Sequence, residues 1–167
     1  MKHLKQLFRQ QLKEVRSSTV IVLLVIAMLG FADAAYLTVE HYRGVIPPCS
    51  VTEGCEKVLT SAYSVALGMP VSLLGSLYYL AIAVGAFMYI ESKHGRGEIA
   101  AHHAAILKWT MLATVLGFLM SLWFIIVQVF ILHSYCIYCL GSALASISLF
   151  IVAVVTLKRY GINDTHN

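Results

Sequence analysis

Residues 106–157 read ILKWTMLATVLGFLMSLWFIIVQVFILHSYCIYCLGSALASISLFIVAVVTL. Two apolar runs, Ile106–Leu132 and Cys139–Leu157, flank one short turn. Crossing the hydrocarbon of a bilayer takes about 20 predominantly apolar residues, and each run is close to that length. Only Ser134-Tyr135 stands between His133, where the first run ends, and Cys136. The stretch therefore predicts a tight helical hairpin spanning a membrane twice. Upstream, Thr19–Tyr42 and Val71–Ile90 meet the same length criterion. Apolar residues make up 59% of the 167 positions and charged residues 12%. A water-soluble domain carries roughly 25% charged residues. The expectation is an all-α integral membrane protein, a four-transmembrane-helix bundle. One long external loop, residues 43–70, carries a short helix near Glu56–Ser64.

Charge sets the orientation. Lys2, Lys5, Arg9, Lys13 and Arg16 precede the first span. Lys93, Arg96 and Lys108 lie between spans two and three, and Lys158 and Arg159 follow span four. The other side keeps Arg43 and Lys57. Basic residues accumulate on the cytoplasmic face, so both termini are expected there, in the cell inner (plasma) membrane. The net charge of +4 is thus a topology signal and not a nucleic-acid footprint. The expected organisation is a basic tail over 1–18, a membrane domain over 19–157 and a cytoplasmic tail over 158–167. The first span is too long for the roughly 7–15-residue core of a cleaved signal peptide. In the first tail, Leu4, Leu7, Phe8, Leu12 and Val15 recur at helical spacing. It reads either as an amphipathic surface helix or as a solvated topology signal. His94, His102 and His103 read as ordinary loop histidines.

All four cysteines fall on the expected external side or at its membrane edge. That side is oxidising in bacteria, so disulfides persist there. Cys136-Ile-Tyr-Cys139 is a CxxC at the start of span four. Two sulfurs three residues apart at a helical turn can close a disulfide, and the N–H groups of a helix N-terminus favour a thiolate beside them. Cys49-Ser-Val-Thr-Glu-Gly-Cys55 is a wider pair in a loop, with Gly54 permitting a turn between the cysteines. An exposed pair and a membrane-edge pair permit relay by successive thiol–disulfide exchange. Three other readings use the same residues: two static disulfides stapling a non-enzymatic scaffold, a four-cysteine zinc site, and the mouth of a metal-transport path. The five-residue spacing fits zinc poorly, since structural sites favour two to four intervening residues. Within the spans Asp33 and Gln128 stand out as polar, and Asp33 is expected to pack or be solvated near the external surface.

The order of these features resembles the vitamin K epoxide reductase family, in its bacterial disulfide-forming branch. A first span is followed by Cys49 and Cys55, then by Ser61 six residues on. Gly68-Met69-Pro70-Val71-Ser72 opens span two, with Gly75 close behind, and Cys136-Ile-Tyr-Cys139 opens span four. The resemblance covers roughly residues 19–157. It implies a quinone-dependent, disulfide-forming oxidoreductase. Cys49 would exchange with a thiol partner, Cys55 would pass electrons to Cys136, and Cys139 would face a quinone (ubiquinone or menaquinone). Ser61 would help to position the quinone or the CxxC. The implied partner is a separate DsbA-like thioredoxin-fold protein. Residues expected near the quinone are Ser61, Ser64, Met69, Leu73, Leu122 and Tyr138. Vertebrate members hold vitamin K with an asparagine and a tyrosine, and the nearest positions here are Val71 and Ala143. Neither side chain can hydrogen-bond, which favours simple quinone reduction over epoxide reduction. DsbB-type enzymes catalyse the same net reaction but place the CxxC in the first external loop, the reverse of the order here. The resting pairing of Cys55, with Cys49 or with Cys136, is left open.

Overall fold

A computed structural model describes residues 15–49, 54–94 and 98–161, without the side chains of 92–94, 98–105 and 160–161. The tail positions Leu4, Leu7, Phe8 and Leu12 lie outside that description, as do the side chains of His94, His102 and His103, whose backbone is helical where a loop was expected. Four long helices carry the fold: α1 (Ser17–Arg43), α3 (Val71–His94), α4 (Glu98–Ile126) and α5 (Ile137–Gly161). A short helix α2 (Gly54–Leu59) lies between α1 and α3. Among the described residues, four helices are long and apolar enough to cross a membrane: Ser17–Arg43, Val71–Glu91, Ile106–Leu132 and Ile137–Arg159. This is the expected all-α membrane bundle.

The helices close a ring in which α1 packs on α3, α3 on α4, α4 on α5 and α5 back on α1. Lipid offers no hydrophobic drive between helices, so close approach depends on small residues. Ala27, Ala34, Ala83, Ala86 and Ala153 are all buried at these seams. Gly30 of α1 lets the Tyr79 ring lie where a β-carbon would be only 2.5 Å from it. The outward faces carry Leu29, Leu119, Trp109, Phe130 and Leu144, all strongly exposed, as a lipid-facing surface requires. Polar side chains within the spans bond their own backbone. Thr38, Thr110 and Thr156 each donate to the carbonyl four residues back, and Thr114 to that three back. Water is absent from the hydrocarbon, so such internal satisfaction is what makes these residues tolerable there.

The segment joining α1 to α3 is more structured than a loop. Gly44, at φ 67°, ends α1 in the left-handed conformation, and the Val45 N–H returns to the Glu40 carbonyl. The expected helix over Glu56–Ser64 divides in two: α2 stops at Leu59, and a separate 3₁₀ turn covers Ala62–Ser64. The hydroxyls explain the break. Thr60 Oγ1 donates to the Glu56 carbonyl and Ser61 Oγ to the Val58 carbonyl, while Ser61 itself is extended. Serine and threonine compete in this way for the carbonyls a continuing helix needs. A two-residue hairpin follows, pairing Val65 with Pro70 and Ala66 with Met69. Its turn puts both Leu67 and Gly68 at positive φ, as primed hairpin turns demand. Pro70 therefore closes the hairpin and α3 begins one residue later.

Candidate active site

The CxxC is positioned by an irregular end to α4. Its last turn, Val127–Leu132, widens into a π-helix, and His133 reverses the chain at φ 48°. Such π segments occur often at functional sites. Gln128, buried in this turn, ties the hairpin together from both ends of its residue. Its backbone carbonyl accepts the Ser134 N–H at 3.1 Å, and its Oε1 accepts the Cys136 N–H at 2.9 Å. Cys136 then takes the N-cap place of α5. Its carbonyl accepts the Leu140 N–H at 2.9 Å, and its Sγ accepts the Cys139 N–H at 3.4 Å.

This geometry decides which sulfur the helix N-terminus favours. The Cys136 thiol is pulled down from its ordinary value of 9.0 to about 7. The largest cause is a hydrogen bond from the Cys139 thiol, helped by the backbone N–H groups of Cys139 and Tyr138. Burial and the Asp33 charge act in the opposite direction. Cys136 is thus mostly thiolate above pH 7 when the pair is reduced. A Cys49→Ala/Cys55→Ala double variant isolates this titration. Its thiolate ultraviolet absorbance is expected to appear with a midpoint about pH 7 and to vanish on acidification. Adding Cys139→Ala removes the largest cause and should move the midpoint upward. The same shift has a stability consequence. The folded state binds the proton less tightly than the unfolded one. The contribution is fully present above the unfolded value of 9.0 and is lost as pH falls through about 7.

The second pair is brought against the first. Cys49 and Cys55 form a disulfide, with Cα atoms 6.2 Å apart. Cys136 and Cys139 are free thiols. Cys55, 1% exposed, and Cys136, fully buried, share one cluster with Val58, and Cys49, Leu59, Leu132, Tyr138 and Cys139 pack against it. Gly54 makes the approach possible. A β-carbon there would lie 2.7 Å from both the N and the O of Tyr135. Gly54 is the first residue of α2, and its lack of a side chain serves contact with the CxxC turn. The disulfide takes two of the four sulfurs out of any four-thiolate metal set. Among the described residues, no group of three or more His, Cys, Asp or Glu side chains is placed to hold a metal ion.

Beneath the cysteine cluster, all four long helices and the α1–α3 connection surround a cavity of about 670 Å³. Cys139 is on its wall, and Cys136 is not. Residues 21–154 match the model of the vitamin K epoxide reductase family. The chain belongs to this family. No curated protein matched the chain. As a vitamin K epoxide reductase family member it is a membrane oxidoreductase working through a cysteine pair.

In this family member the residues expected near a quinone divide. Ser61 and Ser64 line the cavity, as do Val71 and Ala143. Both serine hydroxyls, however, donate to backbone carbonyls, Ser61 to Val58 at 2.7 Å and Ser64 to Ser61 at 2.8 Å. Met69, Leu73, Leu122 and Tyr138 do not line it. Helical phase explains two of these. Met120 and Phe124 of α4 face the cavity, and Leu122 lies about 200° round the helix from Met120 and is exposed. Leu73 stands in the same relation to the lining Gly75. Met69 is held in the hairpin opposite Ala66. Tyr138 braces the loop instead. Its ring lies 5.6 Å from that of Tyr36, and its hydroxyl donates to the carbonyl of Pro48, beside Cys49, at 3.3 Å.

Residues not singled out for the cavity also line it. Tyr78, Tyr79, Ser142 and Ser146 supply its polar atoms deep between α3 and α5. Tyr79 donates to the Ser142 carbonyl at 2.5 Å, and Ser142 Oγ donates back to the Tyr79 hydroxyl at 3.2 Å. A Tyr-Tyr pair in an apolar span was the available signal, but only the phase of α3 aims it inward. Asp33 is partly exposed but not fully paired. Its Oδ2 is buried without a hydrogen-bond partner, and its charge acts on both CxxC sulfurs.

Proposed function

We propose that this chain oxidises the dithiol of a DsbA-like thioredoxin-fold protein and passes the electrons to a membrane quinone, ubiquinone or menaquinone. One observation carries the reading: the sulfurs of both pairs gather in a single buried cluster, and Cys139 alone opens onto the cavity. Each step is a two-electron exchange. The partner dithiol reduces the Cys49–Cys55 disulfide and leaves as a disulfide. The Cys55 thiolate then attacks Cys136 of an oxidised CxxC and releases Cys139, and Cys49 attacks Cys55 to displace Cys136, which restores the loop disulfide and leaves the CxxC a dithiol. Cys136 and Cys139 finally close their own disulfide, giving two electrons and two protons to the quinone, which leaves as quinol. In this scheme an oxidised loop beside a reduced CxxC, the pairing described above, would correspond to the stage just before quinone reduction. In this last step Cys139 contacts the acceptor, and the Cys136 thiolate attacks the Cys139 sulfur to complete the bond.

The basic residues support an orientation with both termini in the cytoplasm and the cysteines outside the plasma membrane. They also support the division into a tail over 1–18, a membrane domain over 19–157 and a tail over 158–167. The apolar side chains of Val71 and Ala143 on the cavity wall favour simple quinone reduction over epoxide reduction. The test is direct. The protein purified in detergent, given dithiothreitol and a short-chain ubiquinone or menaquinone analogue, should form one quinol for each dithiol consumed. Absence of turnover with every quinone would overturn the reading.

A further inference from the structure

The cavity contains one polar feature that the cysteine chemistry leaves unused. Among the described residues, buried side-chain oxygens without a hydrogen-bond partner occur at Asp33, Tyr78 and Ser146. The last two are both on the cavity wall. They meet at Gly117 of α4. A β-carbon on Gly117 would collide with the Tyr78 hydroxyl and lie 2.8 Å from Ser146 Oγ. The glycine therefore keeps open the space these hydroxyls face. An unpaired buried hydroxyl is costly, so one that persists on a cavity wall marks a place for a partner.

The neighbouring groups narrow what that partner is. The hydroxyls of Ser61, Ser64 and Tyr79 are already committed to backbone carbonyls. Val71 and Ala143 have nothing to donate. The Tyr78 and Ser146 hydroxyls are close enough to interact, but neither makes a well-formed hydrogen bond, so Tyr78 is a buried donor that a ligand can engage in place of Ser146. Ser146 is seven residues from Cys139 on α5, two turns or about 10 Å along the axis. A flat ring held with one edge against the Cys139 sulfur would present its far edge to Tyr78.

We propose that Tyr78, seconded by Ser146, is the hydrogen-bond donor for the carbonyl oxygen of a 1,4-quinone farthest from Cys139. This rests on the cavity being the quinone site. Tyr78 is a positioning and specificity residue, since it holds the acceptor ring by an atom remote from the sulfur. The donor would hold the quinone carbonyl and the quinol oxygen alike, so its loss weakens binding more than it slows chemistry.

The test uses the full chain in detergent with 1,4-naphthoquinone as probe, and reads both Kd, from quenching of intrinsic fluorescence, and the KM and kcat of dithiothreitol-driven reduction. Tyr78→Phe is expected to raise Kd and KM about tenfold, the effect of one hydrogen bond, with kcat within about twofold. Ser146→Ala should shift both constants the same way by less, and serves if Tyr78→Phe folds poorly. Tyr89→Phe is the comparison for losing a buried hydroxyl as such. Tyr89 donates to the Val15 carbonyl at 3.3 Å, outside the cavity, and its loss should lower Tm without moving KM. Unchanged Kd and KM in folded Tyr78→Phe and Ser146→Ala, with an active parent, overturns the donor assignment and leaves the dithiol oxidase reading intact. A parent that binds the quinone and loses affinity on Tyr78→Phe, yet never turns over, upholds the donor and overturns that reading. A parent that neither binds nor reduces overturns both.

Discussion

Cys139→Ala is expected to abolish quinone reduction, by at least about a thousandfold, with dithiothreitol or a protein dithiol as donor. Cys139 is the free thiol that opens onto the cavity, and Cys136 is sealed in the cluster above it. Without Cys139 no intramolecular disulfide can close, so the two-electron step loses its product. Cys136→Ala removes the other half of that bond and should match it. Cys49→Ala separates the two inputs. Cys49 is the partly accessible member of the loop pair, so its loss should stop oxidation of a thioredoxin-fold dithiol while dithiothreitol still drives quinone reduction. Both rates are read from quinone absorbance in one detergent preparation. Equal loss of both inputs in Cys49→Ala would remove the shuttle from the scheme.

Gly54→Ala should give the second largest change, a drop on the order of a hundredfold in oxidation of the protein dithiol. The added methyl would lie 2.7 Å from two backbone atoms of Tyr135, and backbone cannot swing aside as a side chain can. Helix α2 must lift away from the CxxC turn, carrying Cys55 from Cys136. Misplacement of reacting atoms by about 1 Å costs roughly this factor. The CxxC keeps its own tie to Gln128, so dithiothreitol should still reduce the quinone through Cys136 and Cys139. A partner-driven rate unchanged by Gly54→Ala would mean that the two pairs exchange electrons in some other conformation.

Each of these effects depends on spacing that the linear chain conceals. The spans themselves were legible, since Thr19–Tyr42, Val71–Ile90 and Ile106–Leu132 all fall within observed helices, but their cytoplasmic ends were not, because α3 runs on to His94 and α4 starts at Glu98. The CxxC at the head of α5 was legible too, because two cysteines three residues apart beside an apolar run allow few alternatives. The short helix was legible only as helix-forming composition. The hydroxyls of Thr60 and Ser61 end it early by taking its carbonyls. The hairpin at Val65–Pro70 was hidden, since two-residue strands are too short to show alternation.

Apolar length and the placement of basic residues were enough to establish a four-helix membrane bundle with its cysteines at one end. Those properties are summed along the chain and do not depend on which helix touches which. The site depended on rotation and contact. Leu122 and Leu73 were reasonable neighbours for a quinone by distance along the chain, and the phase of their helices turns them away. Tyr78 and Ser146 are 68 residues apart and meet only because Gly117, on a third helix, leaves the space. The partition of the four sulfurs likewise came from packing. Cys136 becomes the favoured thiolate chiefly because the Cys139 thiol donates to it, and because Gln128, eight residues earlier, holds it at the head of α5 where backbone N–H groups also converge.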